Sequence, residues 1–178
     1  MLELLKEQAL KLGACRAELA DPKQIATDAA FRKICEGNGC GVYGKCYTCP
    51  PDCGPIDEMM EKLHGFHSAL VYQTVGQLED SFDFEGMIEA GNWHNCLAQK
   101  LRDWAETAGM TGALHLGAGG CRLCAVCAKV TGEPCRNPER ALGSLESYGV
   151  DVTKLAKQTG MPYTNGSDTV TFFGMILV

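Results

Sequence analysis

The chain has 178 residues, enough for one domain with a real core, and 46% of them are apolar. A formal net charge of −6 argues against a general nucleic-acid binder, which presents a basic face. The 11 cysteines are an odd count in a chain that opens on no export signal, so they point to metal binding or redox chemistry rather than to a disulfide framework.

The N-terminal run MLELLKEQALKLG sets Leu2, Leu5, Ala9 and Leu12 at helical spacing, with Gly13 as a stop. Glu3, Lys6, Glu7 and Lys11 interrupt its apolar residues, and no small-residue cleavage site follows, so it reads as an amphipathic helix and not a signal peptide. A strand is predicted over Ala14 to Leu19, then a short helix from Asp21-Pro22 toward Ile34. The glycines and prolines from Gly37 to Pro55 argue for a loop. A helix restarts near Pro55, with Ile56, Met59, Met60 and Leu63 on its buried side.

Ala69 to Val75 reads as a buried strand. An acidic stretch from Glu79 to Glu89 leads into a long helix from about Phe84 to Ala108, on which Trp93, Leu97, Leu101, Trp104 and Ala108 share a face. Gly112 to Leu116 is the next strand. Asn137-Pro138-Glu139 signals a helix start, with Leu142, Leu145 and Tyr148 on its apolar side. Asp151 caps a further short helix ending at Gly160, and Thr169 to Val178 closes the chain as a strand. The fold class predicted is α/β or α+β: a single domain over residues 1–178, with roughly four strands covered by helices and two cysteine-rich loops at the edge or end of the sheet. No window holds the roughly 18 uninterrupted apolar residues of a membrane span. The chain is expected to be soluble and cytoplasmic, without a membrane or nucleic-acid partner.

The second cysteine loop, residues 121–135, reads Cys121-x2-Cys124-x2-Cys127, with Cys135 after seven further residues. Steps of three let one short loop turn its thiolates toward a single centre, as ferredoxins do for a 4Fe–4S cluster. Cys135 is placed either to complete that set or to cross to the other loop. The first loop, residues 35–53, reads Cys35-x4-Cys40-x5-Cys46-x2-Cys49-Pro-Pro-x-Cys53. A 4Fe–4S cluster needs at most four of these five. Cys46-x2-Cys49 resembles half of a zinc knuckle, so zinc is the rival metal.

Several further motifs accompany the cysteines: Tyr43-Gly44-Lys45, Cys49-Pro50-Pro51, Gly117-Ala118-Gly119 before Cys121-Arg122-Leu123-Cys124, Pro134-Cys135-Arg136 with Pro138-Glu139, Ser144-Leu145-Glu146, and Gly149-Val150-Asp151-Val152. With them the chain resembles, over most of its length, a cysteine-rich family of predicted metal-binding proteins of bacteria and archaea, a domain of unknown function. The resemblance implies metal binding and no particular reaction. It also implies that Cys35, Cys40, Cys49, Cys121, Cys124, Cys127 and Cys135 are the recurring positions, whereas Cys15, Cys46, Cys53 and Cys96 match none. Such a three-plus-four pattern leaves the first cluster with an unusual fourth ligand or an open iron.

Other residues have plainer readings. His64 and His67 are read as surface helix histidines, His94 as partly exposed, and His115 as structural in its strand. Trp93 and Trp104 are expected in the core. Gly117 to Gly120 lacks the spacing of a dinucleotide fingerprint and leads into cysteines, so it is expected to let the chain pass close to a cluster. The acidic segment is read as a solvated face, with docking of a basic redox partner as the sharper alternative. Arg122, Lys129, Arg136 and Arg140 surround the second loop, where positive charge raises the potential of a cluster.

Two 4Fe–4S clusters and electron transfer to a redox protein partner in an anaerobic system are therefore expected. Cys121, Cys124, Cys127 and Cys135 would hold one cluster, and Cys35, Cys40 and Cys49, with Cys46 or Cys53 as fourth, the other. The alternatives are an iron–sulfur enzyme with an open iron and a zinc-stabilised binding module.

Overall fold

The computed structural model describes all of residues 1–178. Its elements are α1 (Leu2–Lys11), β1 (Arg16–Ala20), α2 (Phe31–Glu36), α3 (Ile56–His64), β2 (Ala69–Gln77), α4 (Phe84–Thr107), β3 (Leu114–Gly117), β4 (Gly143–Ser144), α5 (Val152–Gln158) and β5 (Thr169–Leu177). They form a single α+β domain around one five-stranded mixed sheet of order β1-β2-β5-β3-β4. All pairings are antiparallel except β3 with β4.

The sheet is covered on both faces. Leu70, Tyr72 and Ile176 pack with Leu5 and Ala9 of α1 and Leu97, Leu101 and Ala105 of α4. Ala69, Val71, Met175 and Leu177 point the other way, onto Leu63 of α3 and Leu155 of α5. Burial on both faces is why β2 and β5 read as continuous apolar runs rather than alternating patterns. Asp83 and Asp151 cap α4 and α5, their carboxylates accepting from Gly86 N and Lys154 N, which satisfies amides that have no partner within the helix.

Five expectations need correction. No helix follows Asn137. Residues 138–141 make one turn, and then Leu116 pairs with Gly143 and Gly117 with Ser144 to give β4, the strand beyond the four predicted. Leu142 belongs to the first core face and Leu145 to the second, so they cannot share one helical side. The segment from Asp21 toward Ile34 is not one helix but a 3-10 turn (Pro22–Gln24) and α2, separated by a bridge from Thr27 to Val150. On α4 the buried stripe is His94, Leu97, Ala98, Leu101 and Ala105, one residue round from the predicted face, and Trp93 stays 46% exposed while lying against Gly13. His94 itself is buried, with Nδ1 hydrogen-bonded to the Thr74 hydroxyl at 2.8 Å. His67 lies beyond the end of α3, where its amide donates to Val178 O, so it forms no i, i+3 pair with His64.

No helix is long and apolar enough to cross a membrane.

Candidate metal centre

β3 runs out at Gly117 into the glycine segment that leads to Cys121, and β4 brings the chain back from the second loop alongside it. Both cysteine loops gather at this corner of the sheet. α2 carries Cys35 in its last turn, and the segment from Gly37 to Gly54 is a series of turns with no helix or strand. Gly120 marks the contact between the loops. A Cβ there would stand 3.1 Å from Val42 Cγ1, 3.4 Å from Cys49 Sγ and 3.9 Å from Cys46 Sγ. A side chain there would press on Val42 by a few tenths of an ångström, and glycine spares the two segments that crowding.

Further contacts hold the loops together. The Tyr47 hydroxyl donates to Glu133 O at 2.7 Å. Lys129 pairs with Asp52 and sits 5.4 Å from the centre of the Tyr47 ring. Arg32 ties the first loop to the turn after β4: Nη1 donates to Gly54 O at 2.9 Å and Nη2 to Ser147 O at 3.1 Å. That turn is itself cross-braced, since Ser144 N donates to Ser147 Oγ and Ser147 N to Ser144 Oγ.

The cysteines fall into two cavities. Cys121, Cys124, Cys127 and Cys135 line one of about 20 Å³, whose walls include Leu123, Ala128, Arg136, Asn137 and Ala141. Cys35, Cys40 and Cys49 line the other, of about 410 Å³, with Tyr43, Glu146, Ser144, Ser147, Gly119 and Gly120 also on its walls. Cys135 thus faces the cavity of its own loop. Cys46 and Cys53 line neither, and Cys15 and Cys96 are exposed elsewhere. A third cavity, of about 440 Å³, lies beside α4 among Arg102, His115 and Glu139 and carries no cysteine.

The electrostatics differ along the loops. Cys46, 3% exposed, is pulled down to about 5 because the Cys49 thiol, the Thr48 hydroxyl and the amides of Thr48 and Cys121 all favour its thiolate, against the opposing effect of burial. Cys49 is pushed up by the same pairing and by burial. Burial raises Cys35, with Cys40 adding, Arg32 opposing and Glu146 adding. Burial also raises Cys53, against the nearby Arg32 guanidinium. Burial raises Cys121, while amides of Leu123 and Leu142 favour its thiolate. Asn137 Nδ2 reaches Cys124 Sγ at 3.7 Å, and Arg136 lies between Glu133 and the Cys124 sulfur. Arg122 turns instead to Asn92 on α4, and Arg140 to Asp103 and Gln99.

The donor chemistry fits a soft, thiolate-bound metal centre. No three His, Cys, Asp or Glu side chains converge closely enough to hold a single ion. A cluster asks for less convergence, because each thiolate binds a different iron. The fold and this corner define a single α+β domain with a cysteine-rich corner. Residues 18–178 match the family described as predicted metal-binding protein (DUF2284), and the chain belongs to that family. No curated protein and no solved structure matches the chain.

The sequence reading missed Glu146, Arg32 and the Ser144–Ser147 brace as parts of this corner. Ser144-Leu145-Glu146 was visible as a motif, but only the parallel pairing of β4 with β3 brings it to the first loop.

Proposed function

We propose that the protein binds two 4Fe–4S clusters and passes electrons to a redox protein partner in a cytoplasmic, anaerobic system. Cys121, Cys124, Cys127 and Cys135 hold one cluster, and Cys35, Cys40 and Cys49 hold the other. The observation that carries this reading is that four of seven thiols line one cavity and three line another. Such clusters supply one-electron chemistry at potentials set by hydrogen bonds to sulfur, net charge and exposure.

The chain's own groups serve that tuning. The amides of Leu123 and Leu142 aim at the Cys121 sulfur, and Arg136 and Asn137 at that of Cys124. Positive charge and N–H donors there favour the extra electron and raise the potential of the second site. Gly119 and Gly120 line the first cavity and run in sequence directly into Cys121 of the second.

A second reading has a specific support of its own. The larger cavity has three cysteines and room beside them, as an iron–sulfur enzyme with an open iron would require.

Anaerobic purification with counts of iron, zinc and acid-labile sulfide tests the proposal. About eight irons and eight sulfides per chain are expected for two 4Fe–4S clusters. Zinc without sulfide overturns it in favour of a zinc-stabilised binding module.

A further inference from the structure

We infer that Glu146 is the fourth ligand of the first site, its carboxylate completing the set begun by Cys35, Cys40 and Cys49. The inference rests on the iron–sulfur reading proposed above and goes beyond it by assigning a metal ligand that the cysteine pattern does not contain.

Three observations support it. Glu146 lines the same 410 Å³ cavity as the three thiols. It enters none of the protein's ion pairs. Its backbone is rigidly placed: Ser144 and Ser147 brace the turn on either side, and Arg32 fastens Ser147 O to the first loop. A ligand on an over-determined turn is held ready without cost at the moment of binding.

The rival donors are otherwise engaged. Cys46 and Cys53 do not line the cavity. Cys46 Sγ instead lies 3.4 Å from the Thr48 hydroxyl and 3.9 Å from where a Cβ on Gly120 would stand. The Ser144 and Ser147 hydroxyls serve each other's amides. Tyr43 is the remaining polar side chain on the wall.

A carboxylate is a harder ligand than a thiolate and holds iron in a sulfur-rich cluster less firmly. One iron of the first site should therefore leave on mild oxidation: [4Fe–4S]²⁺ gives [3Fe–4S]⁺, Fe²⁺ and one electron. Ferricyanide takes the electron and becomes ferrocyanide, and EDTA takes the iron.

The test uses the full chain, reconstituted anaerobically, and follows iron release and the 3Fe–4S electron paramagnetic resonance signal after ferricyanide and EDTA. Glu146→Ala is expected to release that iron about 10-fold faster than the wild type, the size of effect seen when support for a metal is removed. Glu146→Cys, which supplies a fourth thiolate, is expected to suppress release below the wild-type rate, and its retained iron also reports that the variant folds. Wild-type rates in both variants overturn the assignment. So does an unchanged Glu146→Ala alongside fast release in Tyr43→Phe, Cys46→Ser or Cys53→Ser. Absence of sulfide from the wild-type protein instead overturns the iron–sulfur reading itself.

Discussion

The two cysteine loops enclose very different spaces. The loop at 121–135 turns all four of its cysteines onto about 20 Å³. The loop at 35–53 has five and directs three of them onto about 410 Å³, shared with Glu146 and Tyr43. More cysteines thus give fewer facing thiols. The reason is backbone direction: steps of three in the second loop repeat one orientation, whereas the glycine-punctuated turns of the first send Cys46 into the contact with Gly120 and Cys53 toward Arg32. The lesson is that cysteine number does not measure ligand number. Cys121 and Cys124 also border a cavity of about 430 Å³, so the difference lies in thiol number: four thiols suit electron storage, and three with room beside them suit exchange.

The sharpest way to break this contrast is to remove one cysteine from each class. Cys124→Ser should lose about four of about eight irons, whereas Cys46→Ser should lose none; equal losses in iron and sulfide analysis would erase the distinction. Next is the turn that carries Glu146. Leu145 is buried beneath it in the second core cluster, and Leu145→Ala should cost about 3 kcal/mol in chemical denaturation of the full chain. Gly120→Val forces a branched side chain onto Val42 and Cys49 and should cost about 2 kcal/mol. Its metal content should fall in the first site while the second keeps its irons.

A pH titration separates the loops from the sheet beneath them. Burial pushes His115 down from 6.5 to about 3, and burial holds His94 at about 4. Both are neutral when folded, so below pH 6.5 the unfolded chain binds more protons and stability falls with pH. The loss should run from about pH 6.5 to about pH 3, with full stability above that window. His115→Gln should flatten the slope in acid melts, and an unchanged slope would assign the loss to other groups. The smallest effect expected is that of Tyr47→Phe. It deletes one exposed hydrogen bond between the loops and should cost about 0.5 kcal/mol, read as a slight gain in protease cutting near residue 133.

Much of the framework was legible locally. The cap at Asp151 and the stop at Gly13 mark helices whose ends the structure reproduces within a residue or two. Apolar segments at Ala69 to Tyr72 and Phe172 to Leu177 marked β2 and β5. Failures came where partners distant in sequence decide. The strong start at Asn137-Pro138-Glu139 gives one turn and then yields, because pairing with β3 buries Leu142 and Leu145 on opposite faces. His94 and Trp93 are neighbours on α4, and only the position of β2 and α1 settles which is covered.

By itself the sequence determined α1, α3, α4, α5 and the long strands, the cysteine-rich character and the two loops, since caps, apolar runs and cysteine spacing act within a few residues. Tertiary structure alone decided that the loops touch at Gly120, that Cys46 and Cys53 turn away from the first cavity, and that Glu146 turns toward it. Those outcomes depend on the parallel pairing of β4 with β3 and on the reach of Arg32 across 115 residues to Ser147. No local propensity encodes contacts at that separation; they form only when burial on both faces of the sheet has set the register.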